Sequence, residues 1–344
     1  MNLNYIFLIM ILLIFLLFIS GCVKSPTNSQ DNNLDINNEK IDLPLIEQQT
    51  EANIILEEII APKDVIVLVP KLQSWKKEDG IRISGISSST IFQDNQYWMY
   101  YTGNGIELAK SGDGLDFYYV KNIISAKDIS DVDMVSNPSV FKTKDNKYRM
   151  IFEGSKMHPN KQTRKLYSAI SSDGMIWIIE EGVRFQDIGD GKPGELFTSV
   201  PEIIRLDDGR LRMYYTRGIT SATALSDDDG LIWVKETNLD LGKIAIDLDI
   251  VKLDNNSYKL FFTTFADEFG VGEQWITSAS SNDGINFVLD KTKLVEPSTH
   301  GGLVTDPDVI KVGNGYRMYY GEFKKGQNEV YDGESNILSA FCID

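Results

Sequence analysis

Cysteine is scarce: Cys22 and Cys342 are the only two in 344 residues. If Cys22 is modified, as its surroundings suggest below, no intramolecular disulfide can form and stability has to come from packing. Histidine is equally rare, with two residues, and no spacing of His, Cys, Asp or Glu matches a metal-ligand motif, so neither metal nor cofactor is expected. A phosphate-cradling glycine loop and a nucleophile elbow are also missing. Basic charge is short, with 34 Lys and Arg against 50 Asp and Glu and a formal net charge of -16. That balance opposes a phosphate backbone and argues against nucleic acid as a partner. Amphipathic helical periodicity is absent over any useful length, which leaves an all-β chain.

Long apolar runs are limited to one, Ile6 to Ile19, which no charge interrupts. A membrane span needs about 20 residues, whereas this run has the length of a signal-peptide core. It leads into Ile19-Ser20-Gly21-Cys22, which resembles the lipobox of prokaryotic lipoproteins, where the signal is cut before a cysteine that is then acylated. Residues 1–21 are therefore expected to be a signal peptide, with lipidation at Cys22. An uncut signal anchor is the alternative, and both place the rest of the chain at the cell membrane, outside the cytoplasm. Residues 22–61 are rich in Asn, Gln, Ser, Asp and Glu and read as a tether that gives the domain reach. Residues 62–344 show no further shift in composition and read as one domain.

That domain repeats a unit, most clearly between Pro201 and Trp233. Glu202 to Leu206 reaches an Asp207-Asp208-Gly209 turn; Leu211 to Tyr215 is aromatic-rich; Thr223 to Ser226 leads into a second Asp-Gly turn and Trp233. Tight turns between β-forming runs predict antiparallel hairpins. Second-strand copies recur at Tyr97–Tyr101, Tyr148–Phe152, Tyr258–Phe262 and Tyr316–Tyr320, and Asp-Gly turns at Asp113, Asp173, Asp229 and Asp283. Similarity at a regular period marks radial arrays, so the spacing predicts a five-bladed β-propeller of four-stranded antiparallel blades. The Asp-Gly turns are expected to be structural, with Asp and Ser bonding local backbone, in preference to calcium sites. The fifth unit ends at Asp344 without an outer strand. Asp64 to Val69, a strongly β-forming run, is expected to supply it and close the ring from the N-terminal side.

First-strand starts should share one face of such a ring with second-strand ends. They are Ser88-Ser89-Thr90, Asn137-Pro138-Ser139, Val200-Pro201-Glu202, Asp247-Leu248-Asp249 and Asp306-Pro307-Asp308. Carboxylates come from three units: Glu202, then Asp247 and Asp249, then Asp306 and Asp308. With the aromatic-rich blades, the Asp-Pro strand start and the Ser-x-Asp-Gly-x-x-Trp turns, the chain resembles the five-bladed glycoside hydrolase superfamily of arabinanases, invertases and levansucrases. The resemblance implies a carbohydrate partner, Glu202 as proton donor, and Asp306 and Asp308 as partner carboxylates. Asp247, Asp249, Arg217 and Trp275 would then contact substrate. It also calls for a base in the first blade, where this chain has Ser88, Ser89 and Thr90. A propeller that binds glycan or protein without turnover is the alternative expectation.

Overall fold

The computed structural model describes residues 72–158, 161–188, 198–268, 270, 273–290, 292–325 and 331–343. The signal, Cys22 and the tether lie outside them. Residues Leu68–Asp344 form one compact unit. It is a five-bladed propeller of four-stranded antiparallel sheets, each running outward from the axis in chain order. Blade 1 holds β2 (Ile86–Gln93), β3 (Gln96–Gly103), β4 (Gly105–Ser111) and β5 (Tyr118–Ile124); blade 2 holds β6 (Met134–Lys142), β7 (Tyr148–His158), β8 (Lys161–Ser171) and β9 (Ile178–Ile179). Blade 3 is β10 (Thr198–Arg205), β11 (Leu211–Arg217), β12 (Thr220–Ser226) and β13 (Val234–Leu239). Blade 4 is β14 (Ile246–Lys252), β15 (Tyr258–Phe265), β16 (Gln274–Ser281) and β17 (Val288–Leu289). Blade 5 is β18 (Leu303–Val312), β19 (Gly315–Lys325) and β20 (Tyr331–Ile343), completed by β1 (Lys76–Ser84). The inner strands β2, β6, β10, β14 and β18 each touch the next, and β18 touches β2, so the ring is closed.

Local chemistry explains the turns. Asp94 and Asn95 both take positive φ, at 51° and 58°, as a two-residue hairpin requires. At the first Asp-Gly turn, Asp113 Oδ1 accepts from the backbone N–H of Leu115 and Asp116 at 2.8 and 3.0 Å, and Ser111 Oγ accepts from Gly114 N at 2.9 Å. The copies at Asp173 and Asp283 repeat this arrangement, and in the longer blade 3 turn Asp228 takes the Asp113 role beside Ser226. These turns also receive the neighbouring blade: Tyr319 Oη donates to the Gly114 carbonyl, Tyr100 to Gly174 and Tyr214 to Gly284, at 2.8 to 2.9 Å. A Cβ on Gly114 would lie 2.5 Å from the Arg317 guanidinium and 2.8 Å from Tyr319 Oη, so the approach of blade 5 requires glycine there.

The core is divided among the blade interfaces. Tyr100, Val140 and Phe152 pack between blades 1 and 2, and Ile151, Met213 and Tyr215 between 2 and 3. Tyr214, Leu260 and Phe262 fill the 3–4 interface, Phe261, Met318 and Tyr320 the 4–5 interface, and Met99, Tyr101 and Tyr319 the 5–1 interface. No blade can bury its two faces alone, so closure stabilises every interface at once.

The closing strand is not where β-propensity pointed. Asp64 to Val69 lies outside the described residues, and the outer position of blade 5 is taken by β1: Lys76 pairs with Phe341, Lys77 with Ala340 and Glu78 with Ser339. A better signal lay in the sequence. Trp75-Lys76-Lys77-Glu78-Asp79-Gly80-Ile81-Arg82-Ile83 repeats Trp177-Ile178-Ile179-Glu180-Glu181-Gly182-Val183-Arg184-Phe185. The two copies do equivalent work. Glu78 binds Arg317 through both oxygens at 2.8 and 2.9 Å, as Glu180 binds Arg149 at 2.8 Å. Arg82 donates to the Leu115 carbonyl in the blade 1 turn, and Arg184 to Leu231 in the blade 3 turn. Trp75 meets Phe261 edge-on at 5.7 Å, as Trp177 meets Tyr100 at 5.6 Å.

Candidate active site at the channel mouth

Each inner strand is interrupted near its start by a bulge, seen as a register shift before Ser88, Ser139, Glu202, Asp249 and Asp308. The residue two earlier in blades 2 to 5, Asn137, Val200, Asp247 or Asp306, and the one just before Ser88 in blade 1, Ser87, have φ between 45° and 53°. Left-handed backbone suits Asn and Asp but strains a β-branched residue such as Val200. The bulge turns two residues per blade toward the axis, in two layers. The outer layer is Ser87, Asn137, Val200, Asp247 and Asp306; the inner is Ser89, Ser139, Glu202, Asp249 and Asp308.

The inner layer is largely committed to holding blades together. Asp308 accepts from Thr90 N at 3.3 Å and Thr90 Oγ1 at 2.7 Å, joining blades 5 and 1. Asp249 accepts from Val309 N at 3.1 Å, joining 4 and 5, and Ser89 Oγ accepts from Val140 N at 3.0 Å, joining 1 and 2. Each bond reaches the same backbone position of the next inner strand, so Asp249 and Asp308 act as staples. Glu202 differs, because its Oε2 accepts from the Ser139 hydroxyl at 3.1 Å. It lines the cavity at the mouth with Ser87, Ser88, Asn137, Asp306 and the collar of Pro138, Pro201 and Pro307.

The outer layer is bound into a polar network that sequence reasoning did not assemble. Glu153, midway along β7, accepts from Asn137 Nδ2 at 2.9 Å, from Ser155 Oγ at 2.6 Å and from the Ser199 hydroxyl. Arg164, from β8, lies 3.4 Å from Glu153 and donates to Ser199 Oγ at 3.0 Å. Asp247 accepts from Thr305 Oγ1 at 2.5 Å. Arg164 carries no sequence signal beyond its pairing opposite Ser155.

Burial pushes the Glu202 carboxyl up to about 8, with the Asp308 charge adding to it. Burial also raises Asp247, to about 6, where the Thr305 hydrogen bond and the Arg164 charge hold it back. Asp249 and Asp306 are pushed well above the carboxylate range by burial and by neighbouring carboxylates, and Asp308 is raised by burial. A group whose folded pKa is raised binds its proton more tightly in the native state, so stability falls as pH climbs from the unfolded to the folded value. For Glu202 that window runs from 4.5 to about 8. Stability is therefore expected to fall as pH rises from about 5 to 8, by up to ~1.4 kcal/mol per pH unit for each proton held, and the melting temperature with it. Calorimetry across that range checks it, and a flat profile would show that these carboxyls are not held protonated. Below pH 4 the trend reverses, because backbone amides depress Asp113 and burial-opposing hydrogen bonds depress Asp283, both to about 2.

Two residues expected to contact substrate are engaged elsewhere. Arg217 is buried and donates from Nε to Asp187 at 2.7 Å, and Asp187 also accepts from Tyr215 Oη at 2.7 Å. Trp275 is 8% exposed, with Lys243 Nζ 5.0 Å and Lys293 Nζ 4.4 Å from its ring centre. Its ring covers the core in place of forming an open stacking platform. His158 is exposed at the end of β7.

No family model matches the chain, and no curated protein matches it. Solved structures do. A thermostable family-43 glycoside hydrolase aligns at TM-score 0.60 and 13% identity, over 77% of this chain and 91% of that one. An α-L-arabinanase of Cellvibrio cellulosa, complexed with arabinohexaose, aligns at 0.58 and 13%, over 75% and 92%. A member of the GH130 family, described as mannoside phosphorylases that include hydrolases of β-1,2 mannosidic linkages in Candida mannan, aligns at 0.58 and 15%, over 79% and 95%. The chain has the fold of the five-bladed glycoside hydrolases. At these identities the likeness is one of fold.

Proposed function

We propose that this chain is a carbohydrate-acting propeller of the glycoside hydrolase type. The observation that carries this reading is the pairing, at one channel mouth, of a carboxyl raised to about 8 with another raised only to about 6. Glycoside hydrolysis needs one carboxyl protonated and a second ionised. At neutral pH Glu202 holds its proton and Asp247, beside Arg164, has lost its own. Glu202 is the proton donor, and Asp247 supplies the ionised group that blade 1 lacks. Asp306, beside Asp247 in the outer layer, orients substrate hydroxyls together with Asn137 and Ser87. Screening purified protein against a broad panel of plant, fungal and bacterial glycans tests this, with release of reducing sugar as readout. Binding without turnover would favour the second reading, a non-catalytic glycan-binding propeller, which the serines of blade 1 support. Neither binding nor turnover would remove the carbohydrate assignment.

The same proposal places the domain at the outer face of the cell membrane through an acylated Cys22. Two or more acyl chains give stable anchoring at about 0.8 kcal/mol per buried methylene. Cys22→Ser is expected to release the protein from the membrane fraction, and quantitative retention of that variant would point to an uncut anchor.

A further inference from the structure

Among the described residues the wall around the channel mouth is uneven, and it is low over blade 1. On the mouth face the described residues 125–133, 180–188, 240–245 and 292–302 lie between blades, but β1 passes to β2 through Gly85 alone. A Cβ on Gly85 would sit 2.6 Å from the Tyr101 ring and 2.9 Å from the Thr102 carbonyl oxygen, so nothing larger fits. Blade 1 also has the tightest hairpin on this face: β3 and β4 are separated by Asn104, with Gly103 paired to Gly105.

Its two neighbours in the ring rise well above it. Phe152 of β7 and Tyr320 of β19 occupy the strand position of Tyr101 in β3. Beyond that position β3 ends at Gly103, whereas β7 continues to His158 and β19 to Lys325. At about 3.3 Å per residue, strands β7 and β19 extend roughly 13 and 10 Å further than β3. The result is a notch floored by Gly85, Thr102 and Gly103 and opening from Ser87 and Ser88 at the mouth cavity. Its inward positions carry hydroxyls where blades 4 and 5 carry carboxylates.

We infer that this notch is the path by which a linear, uncharged glycan leaves the channel mouth, so that sugars next to the one at Glu202 are bound over blade 1. The inference rests on the carbohydrate reading above and adds the substrate class: an extended chain of several sugars. A mouth walled on every side would admit only a chain end that stops there, whereas an open notch lets the chain continue. It also accounts for the small side chains of Ser87 and Ser88, which keep the floor low; the carboxylate beside Gly103, that of Glu107, is held by Tyr101 Oη and the Asn104 amide at 2.8 and 3.2 Å.

Calorimetric titration with linear arabino-, xylo- and manno-oligosaccharides, from mono- to hexasaccharide, tests the path. For whichever series binds, affinity is expected to rise at least ~10-fold with length. Asn104→Trp should cancel most of that gain while leaving the melting temperature and monosaccharide affinity unchanged, and Asn104→Ala should keep the gain. Inserting Gly-Ser after Asn104 raises the floor without a bulky side chain and should act like the tryptophan. Affinity that does not depend on length, or a gain that survives both Asn104→Trp and the insertion, overturns the notch and leaves the carbohydrate reading standing. Failure of every series to bind removes both.

Discussion

A chain that begins at Gly85 is expected not to fold to a stable monomer, whereas one that begins at Leu68 should melt like the full-length protein. The longer version retains the compact unit Leu68–Asp344 and all of β1. The shorter one opens the outer edge of β20 where β1 had covered it, from Asn336 to Phe341, and an open sheet edge invites association. It also strands Arg317, whose side chain is 7% exposed and is held by both oxygens of Glu78. Removing one partner of a buried pair costs about 3–5 kcal/mol, and removing the packing of a large aromatic such as Trp75 costs about as much again. Against a typical stability of about 5–15 kcal/mol, that loss is decisive. Circular dichroism melts and size-exclusion chromatography are the measurements. A Gly85 version that stays monomeric with an unchanged melting temperature would show that β1 does not close the ring. Glu78→Ala within the full chain should lower stability by part of the same amount.

Glu202→Gln is expected to lower hydrolysis by roughly 10²–10⁴-fold, the usual worth of a positioned general acid, while glycan affinity changes little. The amide keeps the shape and a donor but has no proton to give up. The pH profile of the unmodified enzyme carries the same information. Activity should fall on the alkaline side as Glu202 loses its proton near its value of about 8, and on the acid side as Asp247 gains one near about 6. The result is a bell whose alkaline limb belongs to Glu202. Full activity in the glutamine variant would exclude Glu202 as the acid. Asp308→Asn makes the contrast, because a staple to Thr90 should register chiefly in the melting temperature.

Much of this molecule was legible as sequence because its rules are local. Hairpin turns, the aromatic second strands and the Asp-Gly turns depend on residues close together in the chain, so their repetition announced both the fold and the number of blades. The triplets at the strand starts were equally visible, and they do converge on one axis. Closure was misplaced because β-propensity at Asp64 to Val69 is a statement about a segment alone. The strand that closes blade 5 is chosen by Trp75, Glu78 and Arg82, whose partners Phe261, Arg317 and Leu115 are supplied from three different blades.

The carboxylates divide in the same way. Sequence alone determined their number and their shared strand position, since the repeat aligns Glu202, Asp249 and Asp308 with one another and Asp247 with Asp306. Only the tertiary structure decided what each one does. Asp249 and Asp308 meet a backbone amide of the next blade, Asp247 meets Thr305 and the charge of Arg164, and Glu202 meets a serine hydroxyl over a cavity. A carboxyl's proton affinity is set by burial and by charges brought near it from elsewhere in the chain. Those neighbours exist only once the ring has closed.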